Sequence, residues 1–397
     1  MIEKILAGCR VIDLTQNVAG PFCTQILGDF GAEVIKVERP GAGDDTRAWR
    51  PPEIGGQSST FLALNRNKKS ICLDLDSDAG RDVLLRLVES ADVVIHSLKP
   101  GSAEARGFGY EQLREVRPDL VYCAISAFGE TGPMRKMPGY DPLMQAFSGV
   151  MSVTGNPDDD PVRVSVSLID MGTGMWAALG ILGAIMHRQK TGEGTDVRAS
   201  LLDTGLSWMT VFIAGYFATG NLPKKMGSAM AMTAPYELFR TQDGNIFIAA
   251  GNDRLFIKIC DALGCAHLYQ DPRFEINSRR VENRYELHDL MAEYTQRFST
   301  AELVKTLRAV GAPCSELNDI SQTLSHEQVA ATGMIIDLPI EGIEQHKAVS
   351  VPLVAGGKRS EARNAPPALG AHTDQVLQAQ GYTADEIADL RERAVIA

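Results

Sequence analysis

One aspartate stands where a carboxylate could act as a nucleophile. Asp170 comes immediately before an apolar run, residues 171–186, which His187, Arg188, Lys190 and Gly192 close. An acid at the start, bases in the last turn and a glycine beyond it are helix boundary signals. This pattern predicts that Asp170 lies at a helix N-terminus, where free N–H groups and the helix dipole favour the ionised form. Such a carboxylate can cap the helix, as most aspartates at this position do, or attack an acyl group. Gly172 and Gly174 follow at once, where a helix would rather have alanine, and glycine leaves room for a ligand to approach the backbone. Gly180 and Gly183 suggest close helix packing instead.

The elements that must position Asp170 read as a parallel α/β array. Residues 11–14 form a short buried strand, residues 21–30 a helix opened by Pro21 and stopped at Gly31, and residues 33–38 the next strand. Further strands are expected at 70–75, 92–95, 120–125 and 196–200. Helices are expected at 78–90, 110–116, 171–191 and 201–217. A βαβ start invites a dinucleotide site with Glu38 on the ribose, but the first loop, Thr-Gln-Asn-Val-Ala-Gly-Pro, lacks the glycine fingerprint. Basic residues gather in the loops after the strands: Arg39, Arg47, Lys68, Lys69, Lys99, Arg106, Arg135 and Lys136. In an acidic chain this points to a phosphate-bearing ligand, with two or three of them touching it.

The rhythm breaks at residues 221–231. The first domain is therefore assigned to 1–220. A linker and a small α+β domain take 221–325, with a hairpin at 236–250 and helices near 253–263, 283–296 and 299–310. Residues 326–397 are read as a second linker and a C-terminal return to the first domain. The length of 397 residues is too great for one ordinary core. A net charge of −11 argues against nucleic-acid and anionic-membrane binding as the main task. Seven scattered cysteines without a Cys-x-x-Cys pair argue against zinc and a disulfide framework. The N-terminus lacks a secretory core, and the apolar run ending at Met186 is too short to span a bilayer. A cytoplasmic enzyme is the expectation, with no metal site.

Several motifs in order carry a resemblance. These are Ala19-Gly20-Pro21, Ile35-Lys36-Val37-Glu38 with Gly43-Asp44-Asp45-Thr46-Arg47, Asn65-Arg66-Asn67-Lys68-Lys69-Ser70, Lys99-Pro100-Gly101, Gly132-Pro133, Gly139-Tyr140-Asp141, Asp170, and Lys190-Thr191-Gly192-Glu193-Gly194. Over essentially its whole length the chain resembles the class III CoA-transferases, of the formyl-CoA:oxalate and carnitine type. The resemblance implies a Rossmann-like large domain completed by the C-terminus, a small α+β domain, and an interlocked homodimer. It implies coenzyme A as part of the substrate rather than a permanently bound cofactor, with acyl-CoA and a carboxylic acid as partners.

The family's nucleophilic aspartate falls on Asp170. Its CoA-contacting positions fall on Asn17, Val18, Ala19, Arg39, Leu73, Ser97, Leu98, Ala105, Arg106 and Tyr140. Formyl-CoA transferase has Asn-Phe at Ser97-Leu98, Gln at Val18 and Lys at Pro138, so the loops look closer to members using succinyl-CoA and dicarboxylates. Its mobile glycine run corresponds loosely to residues 226–230, expected to close the site. An α-methylacyl-CoA racemase shares the fold, but racemases of the family carry His where this chain has Tyr140, and tyrosine is a poor base at neutral pH. A CoA-binding sensor without catalysis and an NAD-dependent oxidoreductase are the other readings.

Overall fold

The computed structural model describes all 397 residues, which form two compact units. The first unit comprises residues 1–150, 164–213 and 328–397. Its centre is a six-stranded sheet built from β1 (Arg10–Leu14), β2 (Glu33–Glu38), β3 (Lys68–Cys72), β4 (Val93–His96), β5 (Val121–Ser126) and β6 (Thr195–Ser200). The spatial order is β3-β2-β1-β4-β5-β6, and every pairing is parallel. The order reverses between β1 and β4, so the loops leaving their C-terminal ends flank a crevice, the place where open α/β sheets bind ligands.

Strands buried on both faces read as continuous apolar runs: Val93, Val94 and Ile95 are all inaccessible. One face packs on α2 (Asp78–Val88) and α3 (Tyr110–Val116), the other on α1 (Ala19–Asp29) and α5 (Leu168–Thr191). Between β5 and α5 lies the shorter α4 (Asp141–Phe147).

Two C-terminal helices, α11 (Thr373–Ala379) and α12 (Ala384–Glu392), belong to the same layer as α2. Their segment covers the open edge of β3. Ser70 N donates to His372 Nδ1 (3.2 Å), Cys72 N to Thr373 Oγ1 (3.1 Å), and Asp74 N to the Val395 carbonyl (2.8 Å). An edge strand is thus satisfied by a segment 302 residues away.

Three of the four glycines of α5 serve packing rather than ligand access. A Cβ on Gly174 would lie 2.5 Å from the Ala19 carbonyl oxygen, and one on Gly172 would lie 2.8 Å from the Trp208 ring. These two residues let α5 press against α1 and α6 (Leu201–Trp208). Gly180 meets Val197 in the same way, whereas Gly183 faces open space and packs on nothing. By length and composition α5 could cross a membrane, but half of its apolar window is buried in the protein.

The single helix expected over 201–217 is broken. α6 ends at Trp208, and α7 (Thr210–Thr219) departs at 62°. At the break Thr210 Oγ1 donates back to the Ser207 carbonyl (2.6 Å), an interaction that bends helices.

The second unit comprises residues 151–163 and 214–327. Its boundary thus falls before residue 221, and residues 151–163 fold with it rather than with the sheet. Strands β7 (Tyr236–Arg240) and β8 (Asn245–Ala249) make the hairpin, and β9 (Cys314–Glu316) joins β8 antiparallel. Helices α8 (Asp253–Leu263), α9 (Arg284–Thr295) and α10 (Thr300–Ala309) share its core. Arg280 is wholly buried, donating to the Ala234 (2.7 Å) and Phe274 (3.0 Å) carbonyls. Residues 226–230 are tied down here, with Gly227 N donating to the Gly155 carbonyl (2.9 Å) and Met230 N to that of Tyr236 (3.1 Å).

Candidate active site

Two adjoining clefts occupy the crevice of the first unit. One, about 270 Å³, is lined by residues 16–20 after β1, Ser97–Pro100 after β4, Ser126 at the end of β5 and Ala127 after it, Met137–Tyr140, Trp49, Leu201 and Asp170. The other, about 250 Å³, lies over the ends of β2 and β3. Gln16 and Leu98 belong to both.

The expected site residues divide between them. Asn17, Val18, Ala19, Ser97, Leu98 and Tyr140 share the first cleft with Asp170. Arg39, Leu73 and Arg106, with Leu98 again, line the second. Ala105 lines neither: it ends the short helix Ser102–Ala105, exposed beside Arg106. Trp49, Lys99 and Met137 also line the first cleft.

Asp170 sits in the first turn of α5, yet it does not cap the helix, and neither does Ser167. The cap comes from another element. Asp141, buried at the start of α4, accepts through Oδ2 from Ile169 N (2.7 Å) and Asp170 N (3.1 Å). Gln145, one turn along α4, donates to Asp141 Oδ1 and to the Val164 carbonyl (3.0 Å), and accepts from Val164 N (2.8 Å). This clamp fixes the segment entering α5 and therefore Asp170. It also consumes the amides that might have stabilised either the Asp170 carboxylate or a reacting oxyanion.

The electrostatic consequence reverses the expectation from sequence. Burial, and then the neighbouring Asp141 charge, push the Asp170 carboxyl up to about 7. A carboxylate raised in this way, in a cleft, is a functional signature. Asp141 went unrecognised because an acid at helix position N1, followed by Pro142, reads as the start of its own helix and nothing more.

The rest of the cleft wall is fixed from below. His96, buried at the end of β4, accepts the Leu98 N–H at Nδ1 (3.1 Å), so its proton is on Nε2, 2.6 Å from the Tyr122 hydroxyl. Burial, then Arg198, lower its pKa to about 3, so it stays neutral. Gln16 N donates to Ser97 Oγ (3.1 Å), joining the β1 and β4 loops. α1 begins at Ala19 with no side-chain cap.

Most of the basic loop residues are committed elsewhere. Arg47 forks onto Glu38 (2.7 Å twice) and stacks 3.6 Å over Phe61. Glu38 also accepts from Ser70 Oγ (2.6 Å), so it is an internal counter-ion and not a ribose ligand. Lys68 is buried against Asp13, and Lys69 pairs with Glu33 (2.7 Å). Arg135 and Lys136 line neither cleft. Arg39, Arg106 and Lys99 remain, the first two held by Asp45 and by Asp76 (2.9 Å) at the second cleft. No cluster of His, Cys, Asp or Glu is arranged to hold a metal.

Comparisons with known proteins agree with this architecture. The model of CoA-transferase family III matches residues 6–373. Human succinyl-CoA:glutarate CoA-transferase is 37% identical over 379 residues, covering 94% of this chain and 86% of the relative. Succinyl-CoA–D-citramalate CoA-transferase of Chloroflexus aurantiacus is 34% identical over 389 residues, covering 98% and 97%. A crystal structure of a CAIB/BAIF family protein from Brucella suis superimposes with a TM-score of 0.86 at 36% identity, covering 95% of this chain and 99% of the other. The parallel sheet, the crevice at its switch point and these matches together establish that the chain belongs to CoA-transferase family III and is a class III CoA-transferase.

Proposed function

We propose that the enzyme moves CoA from succinyl-CoA, or a similar thioester, to a dicarboxylic acid through an aspartyl-CoA thioester on Asp170. The observation that carries this reading is a partly buried, proton-affine carboxylate in a cleft otherwise walled by loops of the parallel sheet. Relatives whose names specify succinyl-CoA with glutarate or D-citramalate support the choice of substrates.

In this scheme the Asp170 carboxylate attacks the thioester carbonyl carbon. The C–S bond breaks, leaving a mixed anhydride and CoA thiolate. The thiolate attacks the aspartyl carbonyl and releases the donor carboxylate. The acceptor carboxylate then attacks the aspartyl thioester, and the returning thiolate takes the acceptor acyl group and frees Asp170. No proton is consumed, and each step keeps the thioester's free energy. With the α5 amides taken by Asp141, the uncapped Ala19 and Gly20 amides on the same wall are the available oxyanion donors. The second cleft takes the nucleotide end, with Arg39 and Arg106 exchanging aspartates for phosphates.

The active form is an interlocked homodimer. α7 buries none of its residues, although it carries Val211, Phe212, Tyr216 and Phe217. α5 exposes Met175, Trp176, Leu179 and Met186. Apolar surface of this extent marks a protein interface. At the cleft position where racemases of the family carry His this chain has Tyr140, half exposed, which weighs against racemisation.

The test is direct. Succinyl-CoA and a panel of dicarboxylates are incubated with enzyme, new thioesters are followed by mass spectrometry, and hydroxylamine traps the intermediate. A new thioester with hydroxylamine modification at Asp170, and no turnover by Asp170→Asn, is expected. Turnover by that variant, with deamidation excluded, refutes the nucleophile.

A further inference from the structure

The cleft that holds Asp170 carries two charged side chains of opposite sign. Asp170 is its one acidic residue and Lys99 its one basic residue. Much of the remaining wall is apolar, with Trp49, Ile125, Met137 and Leu201 among its side chains. A carboxylate, apolar walls and a single ammonium are what a dicarboxylic acyl group would meet at its reacting end, along its methylene chain and at its far end.

The backbone beneath Lys99 is fixed. Leu98 N donates to His96 Nδ1 (3.1 Å), Gln16 N to Ser97 Oγ (3.1 Å), and Ser102 N to the Lys99 carbonyl (2.9 Å). Gly101, at φ 85°, turns the chain into the helix that follows, and Pro100 restricts the backbone of Lys99 itself.

The side chain is uncommitted. Lys99 is exposed and makes no ion pair or side-chain hydrogen bond. Arg39 and Arg106, in the second cleft, are each paired with an aspartate. Nor is Lys99 the counter-ion of Asp170, since the one charge that perturbs that carboxyl is Asp141.

Lysines on surface loops are mostly solvated charges. This one stands on a rigid turn at the wall of a reaction cleft, and the chemistry of the substrate gives it a task. One carboxyl of a dicarboxylate reacts, while the other keeps its charge throughout. Bringing that second anion into a cleft that already contains Asp170 is costly unless a cation meets it. An ammonium, compact and with three rotatable donors, can follow a carboxylate whose position changes with chain length.

We propose that Lys99 binds the non-reacting carboxylate of the acyl group and so sets the preference for dicarboxylic over monocarboxylic substrates. This rests on the dicarboxylate reading above. Donor and acceptor acyl groups react in turn at Asp170, so the same lysine serves both.

The test uses acceptors that differ by one charge. Glutarate and its monoamide, glutaramate, have the same carbon chain. Their kcat/KM values are compared with succinyl-CoA as donor, and the binding of free CoA is measured by calorimetry. The wild-type enzyme is expected to prefer glutarate. Lys99→Met is expected to lower that preference about ten- to a hundredfold, the scale of a hydrogen bond between charged groups. Its affinity for CoA should stay within about twofold of wild type, and an unchanged Tm shows that it is folded. Lys99→Arg keeps the charge and should retain most of the preference.

A Lys99→Met variant with the wild-type preference overturns the proposal. So does an equal loss for both acceptors; if CoA binding weakens with it, the lysine serves a phosphate instead. A wild-type enzyme that transfers to glutarate and glutaramate alike shows that the dicarboxylate reading itself has failed.

Discussion

Replacing Asp170 should make the protein more stable, and the gain should depend on pH. In the folded state the Asp170 carboxyl is raised from 3.8 to about 7. The native protein therefore holds this proton more tightly than the unfolded chain. Between about pH 4 and pH 7 it binds more protons, and its stability falls as pH rises through that window. A shift of about 3 units corresponds to an upper bound of ~4 kcal/mol. Asp170 faces an open cleft and the start of α5, and solvent and the helix dipole both return part of this cost. A gain of about 1–2 kcal/mol for Asp170→Asn at pH 8 is therefore expected, or roughly 2–4 °C in Tm per kcal/mol. Urea unfolding of both proteins at several pH values between 4 and 8 provides the assay, with the protein concentration held fixed. The two curves should converge near pH 4 and separate toward pH 8. An asparagine variant no more stable than wild type at pH 8, or a gap indifferent to pH, would show that Asp170 is not a strained carboxylate.

Asp141→Asn keeps an acceptor for the α5 amides but removes the charge facing Asp170. The rising limb of the pH profile of kcat/KM for succinyl-CoA should move to lower pH, by less than the whole elevation because burial is the larger cause. A limb that stays in place would assign the shift to burial alone. Gly174→Ala drives a methyl group to 2.5 Å from the Ala19 carbonyl. A cost of about 1–3 kcal/mol in urea unfolding is expected, with a raised KM for the thioester, because Ala19 opens α1 at the cleft. Unchanged stability would mean that the two helices part without penalty.

Much of the sheet could be read from the chain because its strands are short apolar runs between turn signals. The bounds of β2 and α3 fell where the pattern put them, and the other strands shifted by no more than about three residues. The helix break at Met209 escaped notice because residues on both sides are apolar and neither Gly nor Pro marks it. At the site, the loops at strand ends could be located, but the partners of their charges could not. Glu38, Arg47 and Lys68 look like ligand groups in a linear sequence, yet inside the protein Glu38 and Arg47 neutralise each other and Lys68 is paired with Asp13. Gly172 and Gly174 look like ligand clearance and turn out to be helix-packing contacts. The cap on α5 comes from Asp141, 28 residues from the amide it meets, a relation set by tertiary structure and invisible to spacing.

The covering of β3 by residues 370–397 bears on how the chain is made. Ser70 and its partner His372 are separated by the synthesis of 302 residues. Until those residues leave the ribosome, β3 presents an unpaired edge to other nascent chains, and long-range closure of this kind is slow. The second unit, drawn mostly from the continuous stretch 214–327, can fold during that delay. Premature termination anywhere after it would leave a nearly complete enzyme with a sticky sheet edge. Nonsense mutations near the 3′ end should therefore yield aggregates rather than weakened catalysts.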